Sequence, residues 1–349
     1  MFDTEGYSDH ESVTWLHDAG TGLRAVIAVH SLARGPAMGG CRLWRYPDPG
    51  AALADALRLS EGMSLKNAMA GLPLGGGKAV ILGPVPEGPG RAAAFRAFGR
   101  AIETMGGRYV TAEDVGVHVA DMAEIARETR HVSGIGASGT VGGDPSPYTA
   151  RGVLRGIEAA ARHALGRSDL DGLRVGVQGV GNVGGHLARL LAGQGARLTI
   201  ADIDPARQAR LADETGAETA GLEEILTTDV DVLAPCALGG AITAPVAATL
   251  RARIVAGAAN NQLATSEAGE ILRRRGVTYV PDYVANAGGI IAVGAEYLGH
   301  GSETSVLADV DAIGPRVAEL LARSAAEATP PEVIADRMAR EIIAAARAA

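Results

Sequence analysis

The sequence predicts an α/β protein of two domains, the second built on a doubly wound parallel sheet. Three observations predict it. At 349 residues the chain exceeds the usual size of one domain. Apolar strands and amphipathic helices alternate through its second half. The 48 glycines are dispersed rather than clustered, which marks many tight turns and close backbone approaches. The chain is 47% hydrophobic but only 3% aromatic, so Ala, Val, Leu and Ile must fill both cores.

Composition also excludes classes of function. A net charge of −8 and a pI near 5.5 argue against nucleic acid or an anionic membrane as the main partner. Cys41 and Cys236 are the only cysteines, too few for a disulfide framework or a metal quartet, so no metal is expected. The opening "MFDTEGYSDHES" is acidic, unlike a signal peptide, and no apolar stretch approaches the roughly 18–20 residues that span a bilayer. A cytoplasmic enzyme is the expectation. No internal repeat is visible.

The second half carries the stronger motif, "LRVGVQGVGNVGGHLARLLAGQGARLTIAD" (173–202). A strand through Val175 and Val177 runs into Gly179-x-Gly181-x-x-Gly184, and a helix follows with Val183, Leu187, Leu190 and Leu191 as its expected inner face. Gly193 and Gly195 stop that helix, and a second strand ends at Asp202. Strand, glycines, helix, strand and acid within about 30 residues make a dinucleotide-binding unit. Gly179 makes the turn, Gly181 admits the pyrophosphate and Gly184 lets the helix lie on the strand. The helix start, at Asn182 and Val183, offers free N–H groups to phosphate. Asp202 can accept from both ribose hydroxyls and would repel a 2′-phosphate, which favours NAD over NADP; its alternative is to cap the turn into "DPARQ". Further strands are expected within "DVDVLAPC" (229–236), "ARIVAGAAN" (252–260) and "VTYVPDYV" (277–284).

The first half offers polar residues on small-residue ground. Residues 51–70 form a helix pattern in which Leu53, Leu57, Ser60 and Met63 share a stripe continued by Lys66, Asn67 and Ala70. Lys66 would point inward from the last turn, or snorkel. In "LPLGGGKAVIL" (72–82) Lys78 should begin a strand after a glycine turn; the stretch is no phosphate-binding P-loop, because Leu72 and Ala79 stand where that motif needs Gly and Ser or Thr. "GRYVTAEDVGV" (107–117) is a strand ending in Glu113-Asp114, where Asp114 could cap the next helix, although Asp121 lies nearer to it. Two lysines and a carboxylate at a glycine-rich edge, joined to an NAD domain, suggest an acid/base site beside a nicotinamide.

Together "GPAMGGCR" (35–42), "MSLKNAMAGLPLGGGKAVI" (63–81), "RYVTAEDVG" (108–116), "QGVGNVGGHL" (178–187), "APCALGG" (234–240), "AGAANNQL" (256–263) and "PDYVANAGGII" (281–291) strongly resemble the amino-acid dehydrogenases of the Glu/Leu/Phe/Val family. The likeness is collinear from about residue 20 to 345 and nearest to the leucine and valine members. It implies reversible conversion of an L-amino acid, NAD and water into a 2-oxo acid, ammonia and NADH. It also implies a mixed α/β catalytic and oligomerisation domain (1–143 plus 330–349) and a Rossmann domain (144–329), with a cleft between them that closes over substrate. Lys66 should bind the substrate carboxylate with help from Asn261, Lys78 should be the catalytic lysine, and Asp114 the acid/base on the amino nitrogen. Gly39 should lie near that nitrogen. A second lysine and scarce water would let Lys78 act as a base near neutrality. Thr149 should face the nicotinamide amide, with Cys236, Ala237 and Asn260 beside the cofactor and Cys236 a packing residue.

Met38, Met63, Ala112, Ile290 and Val293 fall where the family lines its side-chain pocket. All are apolar, so a buried glutamate side chain would go unmatched. Stiff Ile290 should cap the pocket at aliphatic depth. A branched-chain substrate is expected, with phenylalanine or tryptophan as the alternative and an inactive NAD-binding regulator as a more distant one. A homo-oligomer is expected. Two positions depart from the family pattern: Asp144, usually Asn, and Cys41, usually Thr, read here as a passive small residue.

Overall fold

A computed structural model describes residues 2–136, 144–299 and 301–348. The chain forms two compact units. The first comprises Met1–Asp144, Ala292–Glu303 and Met338–Ala349; the second comprises Pro145–Ile291 and Thr304–Arg337. Segment 292–303 thus groups with the first unit, and the C-terminal return joins it from 338 rather than 330. The expected boundary at 143 lies outside the described residues.

The first unit holds β1 (Ser12–Asp18), β2 (Leu23–Ser31), β3 (Ala37–Trp44), α1 (Pro49–Met69), β4 (Gly75–Leu82), α2 (Pro89–Glu103), β5 (Tyr109–Glu113) and α3 (Val119–Ala126). Its sheet runs β1-β2-β4-β3-β5, antiparallel at β1-β2 and β2-β4 and parallel at β4-β3 and β3-β5. Strand alternation sorts residues onto two faces. Ile27, Cys41, Ala79, Ile81 and Tyr109 pack with Phe95, Phe98 and Ile102 of α2. Val26, Ala28 and Val80 pack under Ala52, Leu53, Ala56 and Leu57 of α1. Asp48 caps α1 by accepting from the Ala51 N–H, and Pro49 starts the helix without wasting a donor. On α3 it is Asp121, not Asp114, that closes the N-terminus, accepting from the His118 N–H at 2.9 Å.

The three glycines before Lys78 are not a turn. They lie inside β4, fully buried, and Lys78 sits mid-strand opposite Ala28. The physical reason is close approach. A Cβ on Gly76 would lie 2.1 Å from the Ser64 nitrogen of α1, and one on Gly77 would lie 2.8 Å from the Tyr109 ring on the other face.

The second unit begins with α4 (Ser146–Leu165). It continues through β6 (Arg174–Gln178), α5 (Asn182–Gly193), β7 (Arg197–Ala201), α6 (Pro205–Thr215), β8 (Glu218–Thr219), β9 (Val232–Pro235), α7 (Ala244–Thr249), β10 (Ile254–Val255), α8 (Ser266–Arg274), β11 (Thr278–Tyr279) and α9 (Asp282–Ala285). Then come α10 (Gly288–Leu298), α11 (Glu303–Asp311), α12 (Ile313–Glu327) and α13 (Pro331–Ala348); the division between units falls within α10, after the first residue of α11 and within α13. The sheet is wholly parallel in the order β11-β10-β9-β6-β7-β8, so the chain winds outward in both directions from β6. The three strands expected after 229 exist but are only four, two and two residues long. On α5 the inward residues are Gly184, Leu187, Ala188 and Leu191, whereas Leu190 is exposed. Among the described residues no helix is long and apolar enough to cross a membrane.

Candidate active site

In the first unit, period-two alternation puts Gly40 and Arg42 of β3, Lys78 of β4, and Ala112 with Asp114 at the end of β5 on the α1 side of the sheet. The ladder between β3 and β4 pairs Met38 with Gly76 and resumes only at Cys41 and Ala79, leaving it open at Gly39 and Gly40. Beside that gap Lys78 Nζ lies 2.7 Å from Asp114 Oδ2. The site is crowded: a Cβ on Gly40 would stand 2.8 Å from Asp114 Cβ and 3.2 Å from Lys78 Nζ, and one on Gly39 would lie 3.0 Å from Met63 Cγ. From beneath, the Tyr109 hydroxyl lies 2.9 Å from the Gly39 carbonyl, to which it donates.

The lysine side chain is 7% exposed and the carboxylate 22%. Burial pushes the Asp114 carboxyl up, but Lys78 and then Arg42 outweigh it and hold it below the usual carboxylate range. The carboxylate is therefore the charged partner found on Lys78, where the resemblance implied a second lysine. Lys66 stands half-buried in the last turn of α1, one residue before Asn67. Asn67 is wholly buried, and its amide donates to the carbonyls of Gly75 at 2.6 Å and Met38 at 3.3 Å, which ties that turn to both strands. Met63, Ala112 and Val293 keep some exposed surface, but Met38 keeps none. Met38 thus backs the wall of the site instead of lining it, because its side chain is closed in where β3 packs under α1. The Cys41 thiol is wholly buried and pushed up to about 12, chiefly by burial, so it is a packing residue.

Arg42 was not anticipated. Its Nε lies 3.2 Å from Asp114 Oδ2 and its Nη1 2.9 Å from Asp55 Oδ2 on α1. The clue was its position two residues beyond Gly40 on one strand, hence on the same face.

In the second unit Gly179 takes φ +87°, and Ala237 packs against it, so the ends of β6 and β9 touch where the winding reverses. A Cβ on Gly184 would collide with the Gly179 carbonyl at 1.9 Å, so a larger residue there would push α5 off the end of β6. Gly181 differs: the nearest atom to a Cβ there is Arg207 Nη1 at 4.0 Å. The protein itself does not need that glycine, and the space fits a ligand backed by the first N–H groups of α5, those of Asn182 and Val183. These residues suit a dinucleotide.

Asp202 follows β7 with its side chain 4% exposed. Its Oδ2 accepts from the Val180 N–H at 2.7 Å, while Oδ1 accepts from the Asp204 N–H at 2.8 Å and lies 3.2 Å from Arg207. Asp202 thus braces both the glycine loop and the following turn; the cap of α6 is Asp204. Cys236 packs beneath Gly184, its thiol pushed up to about 12 by burial. Thr149 Oγ1 donates to the Pro145 carbonyl in the first turn of α4 and lies 2.6 Å from where a Gly289 Cβ would be. Asn260 Oδ1 accepts from Asn286 Nδ2 at 2.8 Å, and exposed Asn261 holds φ +53° while its carbonyl accepts from the Gly240 N–H. Ile290 is half-buried in the first turn of α10. Arg207 and Asn286 were not among the expected residues; the partner of Asn286 lies 26 residues away, beyond any local spacing rule, whereas Arg207 pairs locally with Asp202 and Asp204.

Comparison with known proteins agrees with this geometry. The family profile described as Glu/Leu/Phe/Val dehydrogenase, dimerisation domain, matches residues 10–131. That described as Glutamate/Leucine/Phenylalanine/Valine dehydrogenase matches residues 200–327. A leucine dehydrogenase of Geobacillus stearothermophilus is 46% identical over 98% of this chain and 92% of its own length. A valine dehydrogenase of Streptomyces albus is 43% identical over 97% and 93%. The crystal structure of L-tryptophan dehydrogenase from Nostoc punctiforme superposes with a TM-score of 0.88 at 36% identity, covering 98% of each chain. The chain is an oxidoreductase with a nicotinamide cofactor, and it belongs to the Glu/Leu/Phe/Val dehydrogenase family.

Proposed function

We propose that the protein catalyses the reversible NAD-dependent oxidative deamination of leucine, isoleucine and valine. The observation that carries this reading is the direct contact of Lys78 with Asp114 beside the open ladder at Gly39 and Gly40. A lysine and a carboxylate in contact can pass a proton between them where little water reaches, which the removal of protons from an amino nitrogen and from attacking water requires. Lys66 holds the substrate carboxylate, with Asn261 assisting. Asp114 moves protons on the amino nitrogen, and Lys78 takes the proton of the water that displaces ammonia. The bound nicotinamide supplies the hydride acceptor.

NAD is favoured over NADP because the charge of Asp202 lies at the end of β7, against the loop that takes the phosphates. Arg207 offsets part of that charge, so the preference is finite. The residues assigned to the substrate's side chain, Met63, Ala112, Ile290 and Val293, are apolar and give a carboxylate no partner. The leucine and valine dehydrogenase relatives support the aliphatic choice.

The test is NADH formation with single amino acids. Leucine, isoleucine and valine should fall within roughly a hundredfold of each other in kcat/KM, since one methylene in an apolar pocket is worth about 1–3 kcal/mol. Phenylalanine should be poorer and glutamate inert. A preference for phenylalanine or tryptophan would overturn the substrate while leaving the reaction, and absence of NADH with every amino acid would favour the inactive regulator.

A further inference from the structure

Asp114 is held by two cations on one oxygen. Lys78 Nζ lies 2.7 Å and Arg42 Nε 3.2 Å from Oδ2, so both cations make their recorded approach to the same oxygen. Arg42 does not reach Asp114 by chance of a mobile side chain. Its other branch is bound to Asp55 at 2.9 Å, and Asp55 is itself fixed by the Tyr46 hydroxyl and by Arg58 at 2.7 Å. The guanidinium is therefore clamped between α1 and the end of β5, three-quarters withdrawn from solvent. A forked, planar cation suits this bridging, because its two branches reach the two carboxylates in one fixed geometry.

We propose that Arg42, braced by Asp55, is a positioning residue that fixes Asp114 through Oδ2, so that the carboxylate exchanges protons with the substrate nitrogen through Oδ1. The inference rests on the reading of Asp114 as the residue that moves protons on that nitrogen. It adds a structural condition that the Lys78–Asp114 contact alone does not give. With Oδ2 taken, the carboxylate cannot rotate to offer either oxygen, and Lys78 stays within reach of the same group.

The same arrangement sets a charge balance. Lys78 and Asp114 are in contact, so a charge placed beside one acts on both. Facing that pair is Arg42 from β3, with Asp55 of α1 behind it and Arg58 on the far oxygen of Asp55. The side chains of Cys41 and Tyr109 point to the opposite, α2 face of the sheet, both wholly buried with burial pushing their proton loss upward, so they stay neutral. Removing the Arg42 charge takes away one of the two cations that hold the Asp114 carboxyl below its usual range, so that carboxyl binds its proton more tightly. The acid-side limb of the pH profile of kcat/KM must then move to higher pH.

The experiment measures kcat/KM for leucine oxidation against pH for wild type, Arg42→Gln and Arg42→Lys. In Arg42→Gln the limb moves up by about half a pH unit or more, because Arg42 touches Asp114 directly but keeps a quarter of its side chain in solvent, where the effective dielectric is high. Turnover falls while KM for NAD stays within about twofold, since no cofactor contact is involved. Arg42→Lys restores the position of the limb, keeping the charge, but not full turnover, having lost the fork. A limb in Arg42→Gln that overlays the wild type overturns the inference. Should Arg42→Gln not fold, a shifted limb in Arg42→Lys overturns it equally, and an unshifted limb with reduced turnover supports it. Asp114→Asn separates the two layers: full turnover there removes the reading of Asp114 itself, whereas lost turnover there with an unmoved Arg42→Gln limb removes only the role of Arg42.

Discussion

Acid should loosen the first unit through a pair of buried histidines, and the loss can be worked from the structure. His30 of β2 is 6% exposed, and its Nδ1 lies 2.7 Å from Ser64 Oγ on α1. The His10 ring packs edge-on at 4.9 Å, with its Nε2 2.9 Å from Ser60 Oγ of the same helix. Burial, with the neighbouring His10 second, depresses His30 from 6.5 to about 4. His10 is lowered too, again mainly by burial. Between these values the unfolded chain binds a proton that the folded chain refuses, so stability is complete above 6.5 and is lost as pH falls towards 4. The full difference is about 3 kcal/mol at 1.4 kcal/mol per unit, and about 2 kcal/mol of it is gone by about pH 5. The two tryptophans, Trp15 in β1 and Trp44 in β3, both report on this sheet. Urea unfolding followed by their fluorescence should show the wild-type midpoint falling between about pH 7 and about pH 5, and His30→Gln should lose most of that dependence, keeping only the part from His10. Equal dependence in both proteins would refute the assignment.

Asp114→Asn should lower turnover by at least about 10²-fold with NADH binding intact, as measured by cofactor fluorescence titration; retention of more than half the turnover would exclude the role. Asp202→Ala should weaken NAD and improve NADP, because it removes the repelling carboxylate and frees Arg207 for a 2′-phosphate; unchanged kcat/KM for both cofactors would show that Asp202 does not discriminate. Gly76→Ala should cost at least about 1–3 kcal/mol by driving a methyl into Ser64, whereas Gly62→Ala, on the open side of the same helix, should gain about 0.5–1 kcal/mol. Thermal melts decide, and equal effects of the two substitutions would contradict the packing described for β4. Ile290→Ala should shift the ratio of kcat/KM values from leucine towards phenylalanine; no shift would remove Ile290 from the side-chain site.

The dinucleotide unit was legible because its requirements are local. Turn glycine, helix start and terminal acid follow one another at fixed spacing, and each can be checked from its neighbours. The buried glycine strand was not, since Gly75–Gly77 read as a turn until α1 and Tyr109 are seen pressing on either face. β8 was missed because Glu218 and Thr219 are exposed and carry no apolar pattern. Leu190 was placed inward by its apolarity, yet Gly184 and Ala188 take that face so that α5 can lie close to β6. Lys78 and Asp114 could be assigned from motif resemblance, but their contact spans 36 residues and only the sheet brings them together. Arg42 escaped for the same reason: a side chain that acts on a carboxylate 72 residues away leaves no mark in its own surroundings.

The central claim, that this chain interconverts a branched-chain amino acid and its 2-oxo acid with ammonia, is tested most directly in the reverse direction. The 2-oxo acid of leucine is mixed with NADH and enzyme, and NADH oxidation is followed with and without ammonium. The account predicts that NADH is consumed only when ammonium is present, with one leucine formed per NADH. Consumption of NADH without ammonium, with a hydroxy acid as product, would contradict it.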